Sequence, residues 1–161
     1  MAVDYFLKLD GIDGESTDAA HKDSIEVMSF SFGATQTGSL ASGGGGGSGK
    51  VQFQDFHFTE NTSKASPKLF LACASGQHIK KAQLFCRKAG GDQKPLEFMK
   101  IELEDVLVSS VQHSGHGGDL PTESISLNFA KIMFTFIPQN ADGSAGSPVS
   151  AGWDVKANKK V

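Results

Sequence analysis

Several stretches of this chain alternate apolar and polar residues as strands do, and then change phase midway. Ile125, Leu127 and Phe129 share one parity, while Ile132, Phe134 and Phe136 take the other. Met99, Ile101 and Leu103 are followed by Val106 and Val108; Ile25 and Val27 are out of step with Met28, Phe30 and Phe32; Phe53 is out of step with Phe56 and Phe58. Successive side chains of a strand point to opposite faces. A slip of one residue therefore exchanges the buried and exposed sets unless a bulge or sharp bend restores them. Four such segments predict strongly bent strands in a small β-barrel, a mainly β fold.

The remaining segments fit that architecture. Val3, Tyr5, Leu7 and Leu9 form one face of a first strand, and the polar stretch from Gly11 to Asp23 is a loop. Lys80 to Ala89 is another strand, with Ala82, Leu84 and Cys86 on one side and Gln83, Phe85 and Arg87 on the other. Gly90-Gly91-Asp92 makes the turn into Leu96 to Ser110, and Gln112 to Asp119 is a second glycine-rich loop. Thr122 to Pro138 is a long strand segment, and Trp153 anchors a last short strand. One segment, residues 66–76, breaks the pattern with helix signals at both ends: Ser66 to cap, Pro67 at the first position and Gly76 to exit. Leu69, Phe70 and Cys73 are its expected buried stripe. The sum is about seven strands and one short side helix in a single domain spanning residues 1–161.

Between the strands at Ile25 to Phe32 and Val51 to Phe58 lies a loop, Thr37 to Lys50, with five consecutive glycines, Gly43 to Gly47. It has almost no side chain to hold it down, so its backbone entropy is high and it is expected to be ordered only from outside its own chain. The stretch Gly44 to Lys50, GGGGSGK, nearly spells a phosphate-binding loop. Val51 stands where Ser or Thr is needed, and a strand follows where a helix is needed, so the match is accidental. His113, His116 and Asp119 are metal-ligand types, but HSGHGGD offers nothing to orient the imidazoles. His21, His57 and His78 are isolated in sequence and are expected at the surface. Asn61-Thr62-Ser63 is a sequon short enough to occur by chance. No nucleophile elbow, HExxH or carboxylate pair stands out, and no cofactor, metal or enzymatic activity is expected.

The net charge of −3 excludes a general nucleic-acid binder, which needs a basic face. Lys156, Lys159 and Lys160 are expected to form a solvated basic tail. The N-terminus MAVDYFLKLDG lacks the basic and apolar regions of a signal peptide, and Leu69 to Ala74 is far short of a membrane span. Cys73 and Cys86 sit in apolar surroundings and are expected to be buried free thiols, with a disulfide as the alternative. The 12 phenylalanines fall on both faces of some strands: Phe6, Phe85 and Phe98 oppose the core parity. That second face must pack on a helix or on another subunit.

These segments together resemble the Hcp (haemolysin-coregulated protein) family of bacterial type VI secretion systems. The resemblance rests on the opening MAVDYFLKLDGIDGES, SFSFG at Ser29 to Gly33, the glycine loop ending GKVQFQDFHFTE, SPKLFLACASGQH, KAQLFCRKAGG, VLVSSVQHSG and LNFAKIMFTF. Phe30 and Phe32 stand where family members often have tryptophan. The resemblance implies a homohexameric ring that stacks into a tube, is expelled within a contractile sheath beneath a VgrG-type spike, and carries effector proteins in its lumen. It implies a cytoplasmic protein secreted without a signal peptide and without membrane insertion. Ser31 matches a lumen-facing family position and is a cargo-contact candidate. Gly43, Gly44, Gly45, Gly46, Gly47, Ser48 and Gly49 become the arm reaching a neighbouring ring or subunit. A secreted effector would require a C-terminal extension beyond Val161; a stand-alone small-molecule-binding barrel would be monomeric.

Overall fold

A computed structural model describes residues 2–38, 49–89 and 94–161. The described strands are β1 (Val3–Leu9), β2 (Ile25–Val27), β3 (Ser29–Ser31), β4 (Ala34–Thr35), β5 (Gln52–Phe53), β6 (Phe56–Asn61), β7 (His78–Lys88), β8 (Leu96–Ser114), β9 (Thr122–Phe136), β10 (Val149–Asp154) and β11 (Lys159–Lys160), with one helix, α1 (Ser66–Ser75), between β6 and β7. The main sheet runs β11-β10-β9-β8-β7-β1-β2, entirely antiparallel. β9 forks: its first half pairs with β6, which carries β3, and its second half pairs with β10. A separate two-stranded ladder, β4 with β5, forms the stem of the glycine loop. The described strands outnumber the seven or so expected because bends cut single apolar runs into pieces, as at Met28 between β2 and β3.

The phase changes line up across three strands. Ile79 of β7, Val106 of β8 and Phe129 of β9 are cross-strand neighbours and all are buried; so are Ala82, Leu103 and Ile132, three residues along. Between the two rows Lys80, Asp105 and Ala130 drop out of the ladders. Asp105 takes a left-handed backbone, φ +53°, and the Ala130 carbonyl accepts from Val155 N at 2.8 Å. Each strand thus contributes an extra residue at one line, so the sheet bends as a unit and the same face keeps pointing at the core. That face, with Leu7, Ile25, Phe56, Phe58, Leu84 and Ile101, is fully buried. Burial of each such side chain is worth about 1.5–3 kcal/mol.

The expected closed barrel is not formed. β2 pairs only with β1, and β3 pairs only with β6, so no described strand is hydrogen-bonded to both. Only the chain at Met28, whose N–H donates to Thr59 O at 2.8 Å, passes from one ladder to the other. The sheet is therefore open between β2 and β3.

Other expectations are corrected by long-range packing. His21 is not at the surface: it is 7% exposed, and its ring stacks on Phe6 and lies tilted against Phe85, with centroids 4.7 and 4.8 Å away. Its Nε2 lies 2.5 Å from Glu97 Oε1. Arg87 lies over the Phe6 ring and donates to both oxygens of Asp18, at 2.9 and 2.7 Å. That hydrogen-bonded guanidinium pulls the Asp18 carboxyl down to about 2. The loop after β1 therefore covers Phe6, where a helix or a second subunit was expected. In α1 the backbone of Ala65, not the Ser66 hydroxyl, occupies the N-cap, while Pro67 and the left-handed exit at Gly76 (φ +68°) are as expected. Leu69 and Ala72 are buried but Phe70 is 61% and Leu71 60% exposed. Gln112 to Ser114 extend β8 rather than forming loop, and Lys159–Lys160 form β11 rather than a free tail. Both cysteines are free; Cys86 is buried and Cys73 half-buried.

Asp105 offers a direct test of the bend. Asp105→Gly, which relaxes at positive φ, is expected to leave the urea midpoint unchanged or raise it. Asp105→Val, β-branched at the same φ, is expected to lose about 1–3 kcal/mol.

Candidate functional site

The side chains of β3, β6, β9 and β8 that point away from the core form an uncharged polar surface. Register places Ser29, Thr59, Ser124 and Gln112 in one row across the four strands, and Ser31, His57, Ser126 and Ser110 in the next. Asn61, Thr122 and Ser114 continue it on the other side of the first row. The alternation that buries Ile125, Leu127 and Phe129 is what turns Ser124, Ser126 and Asn128 to the other side, where Ser124 and Asn128 are exposed and Ser126 is covered. Hydroxyls meet in pairs: Ser29 Oγ and Thr59 Oγ1 are 2.6 Å apart, Ser114 Oγ and Thr122 Oγ1 3.3 Å. Asp55 closes the margin, accepting from Ser109 Oγ at 2.6 Å and Asn128 Nδ2 at 2.9 Å.

Ser31 is exposed in this surface, beside His57. Ser126 Oγ lies 2.6 Å from His57 Nδ1. Among the described residues no carboxylate is hydrogen-bonded to His57 Nε2, so the pair lacks the orienting group of a nucleophilic triad. His116 Nε2 is 2.9 Å from Asp119 Oδ2, while His113 turns to Glu123, so the histidines of the HSGHGGD segment are separated. Among the described residues no three His, Cys, Asp or Glu side chains converge as a metal site. Of the loop candidates, Gly49 is described and exposed; Gly43, Gly44, Gly45, Gly46, Gly47 and Ser48 lie outside the described residues, as does the turn Gly90-Gly91-Asp92.

Sequence reasoning did not find a second polar cluster. Glu60 of β6 and Glu123 of β9 are direct cross-strand partners on the core-facing side, 2% and 1% exposed. Ser66 Oγ donates to Glu123 Oε1 at 2.7 Å, and His113 Nε2 stands 3.1 Å from Glu123 Oε2. Burial first, and the neighbouring Glu123 and Glu15 next, push the Glu60 carboxyl up to about 9. The only available signal was parity: Glu60 falls in step with Phe56 and Phe58, Glu123 with Ile125.

The family model for the type VI secretion system effector Hcp matches residues 6–136. The chain belongs to the Hcp family. It is 47% identical over 160 residues to protein hcp1 of Pseudomonas aeruginosa, covering 98% of each chain. Its fold matches that of Hcp1 from Salmonella typhimurium with a TM-score of 0.83 and 38% identity, covering all of both chains. A type VI secretion system effector from Yersinia pestis matches with a TM-score of 0.78 and 35% identity, over 94% of this chain and all of that one. As an Hcp protein, the chain is a secreted structural tube component of a type VI secretion system, which fits the resemblance noted in its motifs. No described helix is long and apolar enough to cross a membrane.

The buried carboxyl pair sets a pH dependence. Because the folded-state value of Glu60 lies above the ordinary 4.5, its stabilising contribution is full below that ordinary value and is lost as pH rises towards about 9. Glu60→Gln is expected to flatten this slope and to gain roughly 1–3 kcal/mol at mildly alkaline pH, read by urea unfolding across the range.

Proposed function

We propose that this Hcp protein assembles as a homohexameric ring, that rings stack into the secretion tube, and that the uncharged face of β3, β6, β9 and β8 lines the lumen where effector proteins ride. The observation that carries this is the surface itself: two full rows of hydroxyl, amide and imidazole groups with no lysine, arginine or carboxylate. Such a lining offers hydrogen bonds to many polypeptides without a fixed charge that would select or trap one of them. The remaining partners are those of the family: a VgrG-type spike at the tip and a contractile sheath around the tube. In this role the chain acts by assembly and not by catalysis. It is made in the cytoplasm and leaves through the apparatus without a signal peptide. The exposed Phe70 and Leu71 of α1 are apolar area suited to contact between protomers. The loop Thr37 to Lys50 is the arm towards a neighbouring ring or subunit. No feature of the described residues favours a stand-alone ligand-binding barrel, since the inner face is filled by its own side chains.

Ser31 is the residue through which to test the lumen. Ser31→Gln places a longer side chain in the polar face without disturbing the core; it is expected to leave the assembled mass unchanged and to weaken co-purification of effectors. Equal effector recovery with both proteins would refute a lumenal role for this face. Shortening Gly43 to Gly47 is expected to reduce tube formation, seen by electron microscopy, while leaving single rings intact; undiminished tubes would make the loop a mere linker.

A further inference from the structure

We infer that the exposed face of α1 docks into the groove beside β1 and β2 of a second copy of the chain, and that this pair of surfaces is the apolar centre of the contact between protomers. The inference rests on the ring reading and names the two surfaces that meet in it. At 3.6 residues per turn, Phe70, Ala74, Pro67 and Leu71 fall side by side around the helix, and all four are exposed. Adjacent exposed side chains as large as Phe70 and Leu71 mark a contact surface. Lys64 precedes the helix and Lys68 lies in its first turn. Neither is in an ion pair among the described residues. Positive charge at this end opposes the helix dipole, so these lysines do not serve α1 itself. They suit an acidic surface brought from outside.

The same chain carries the complement elsewhere. β1 pairs with β2 only through Tyr5, Phe6 and Leu7. Val3 and Asp4 therefore run past the end of that ladder, with no described strand paired to them on that side. Beside them, where the sheet is open, lies a groove of about 300 Å³ whose walls include Val3, Asp4, Glu26 and Met28. Its rim is apolar at Val3 and Met28, which are 37% and 56% exposed. Its charged groups are the two carboxylates, and no lysine or arginine lines it. Asp4 lies 3.4 Å from Arg87, whose shorter bonds go to Asp18. Glu26 is in no ion pair among the described residues. An apolar ridge flanked by lysines thus matches an apolar groove flanked by carboxylates. Helix against helix would set lysine on lysine, and groove against groove carboxylate on carboxylate. Helix into groove avoids both. Repeated from copy to copy, it is a heterologous contact, the kind that closes rings.

The test is the native mass of the full chain over a concentration series, with circular dichroism to check the fold of each variant. Leu71→Glu changes an exposed position. It is expected to fold and to raise the concentration needed for assembly by at least about thirtyfold. Lys68→Glu and Glu26→Lys are each expected to raise it by roughly threefold to tenfold. The double variant, which restores opposite charges, is expected to recover most of that loss. Assembly of Leu71→Glu at the same concentration as the unsubstituted chain overturns the docking while leaving the ring intact, and gives the α1 face to a partner outside it. A double variant that assembles no better than either single one also overturns the docking. An unsubstituted chain that stays monomeric throughout the series overturns the ring reading and this contact with it.

Discussion

Where β7, β8 and β9 reach Lys80, Asp105 and Ala130, all three change the parity that faces the core, and the rest of the molecule depends on their doing so together. A phase change in one strand alone would send its second half of apolar residues into water. Three in register turn the sheet instead, so that Ile79, Val106 and Phe129 on one side of the line and Ala82, Leu103 and Ile132 on the other bury against a common core. The bend also separates the two outer surfaces. Beyond it, the first half of β9 is free to pair with β6 and the second half with β10.

These outer surfaces differ in chemistry because they are covered differently. On β1, β7 and β8 the outward residues are large, and the loop after β1 closes over Phe6 with a stacked histidine and the Asp18–Arg87 fork. On β3, β6, β9 and β8 the outward residues are uncharged hydroxyl, amide and imidazole groups, and Ser31 is exposed among them. The first surface is covered by its own chain at Phe6, while Phe85 and Phe98 stay half-buried. The second is left open in a form suited to the inside of a ring, where many contacts must be weak.

Much of this was legible in the sequence because it is local. The phase changes at Leu103 to Val106 and Phe129 to Ile132 gave the bends, Gly76 gave the helix exit, and the motif set gave the family. What was missed depends on partners distant in sequence. His21 looks isolated until the fold brings Glu97, 76 residues away, to its ring. Glu60 and Glu123 look like two ordinary surface acids until β6 and β9 pair. Phe70 was expected in one buried stripe with Leu69 and Cys73, but the fully buried side of α1 carries Leu69 and Ala72 and leaves Phe70 61% exposed. Barrel closure failed on one residue, Met28, whose role as a break between two ladders no pattern in Ile25 to Phe32 distinguishes from a bend within one strand. Of the arm, only Thr37, Gly38, Gly49 and Lys50 fall within the described residues, next to the β4–β5 stem.

The central claim is that the open polar face is the inside of a closed ring, and native mass spectrometry from dilute neutral solution tests it most directly. The account predicts a discrete species of about 102 kDa, six copies of the 17.0 kDa chain, as head-to-tail contacts that close on themselves require. A chain that stays at 17.0 kDa at high concentration would contradict it.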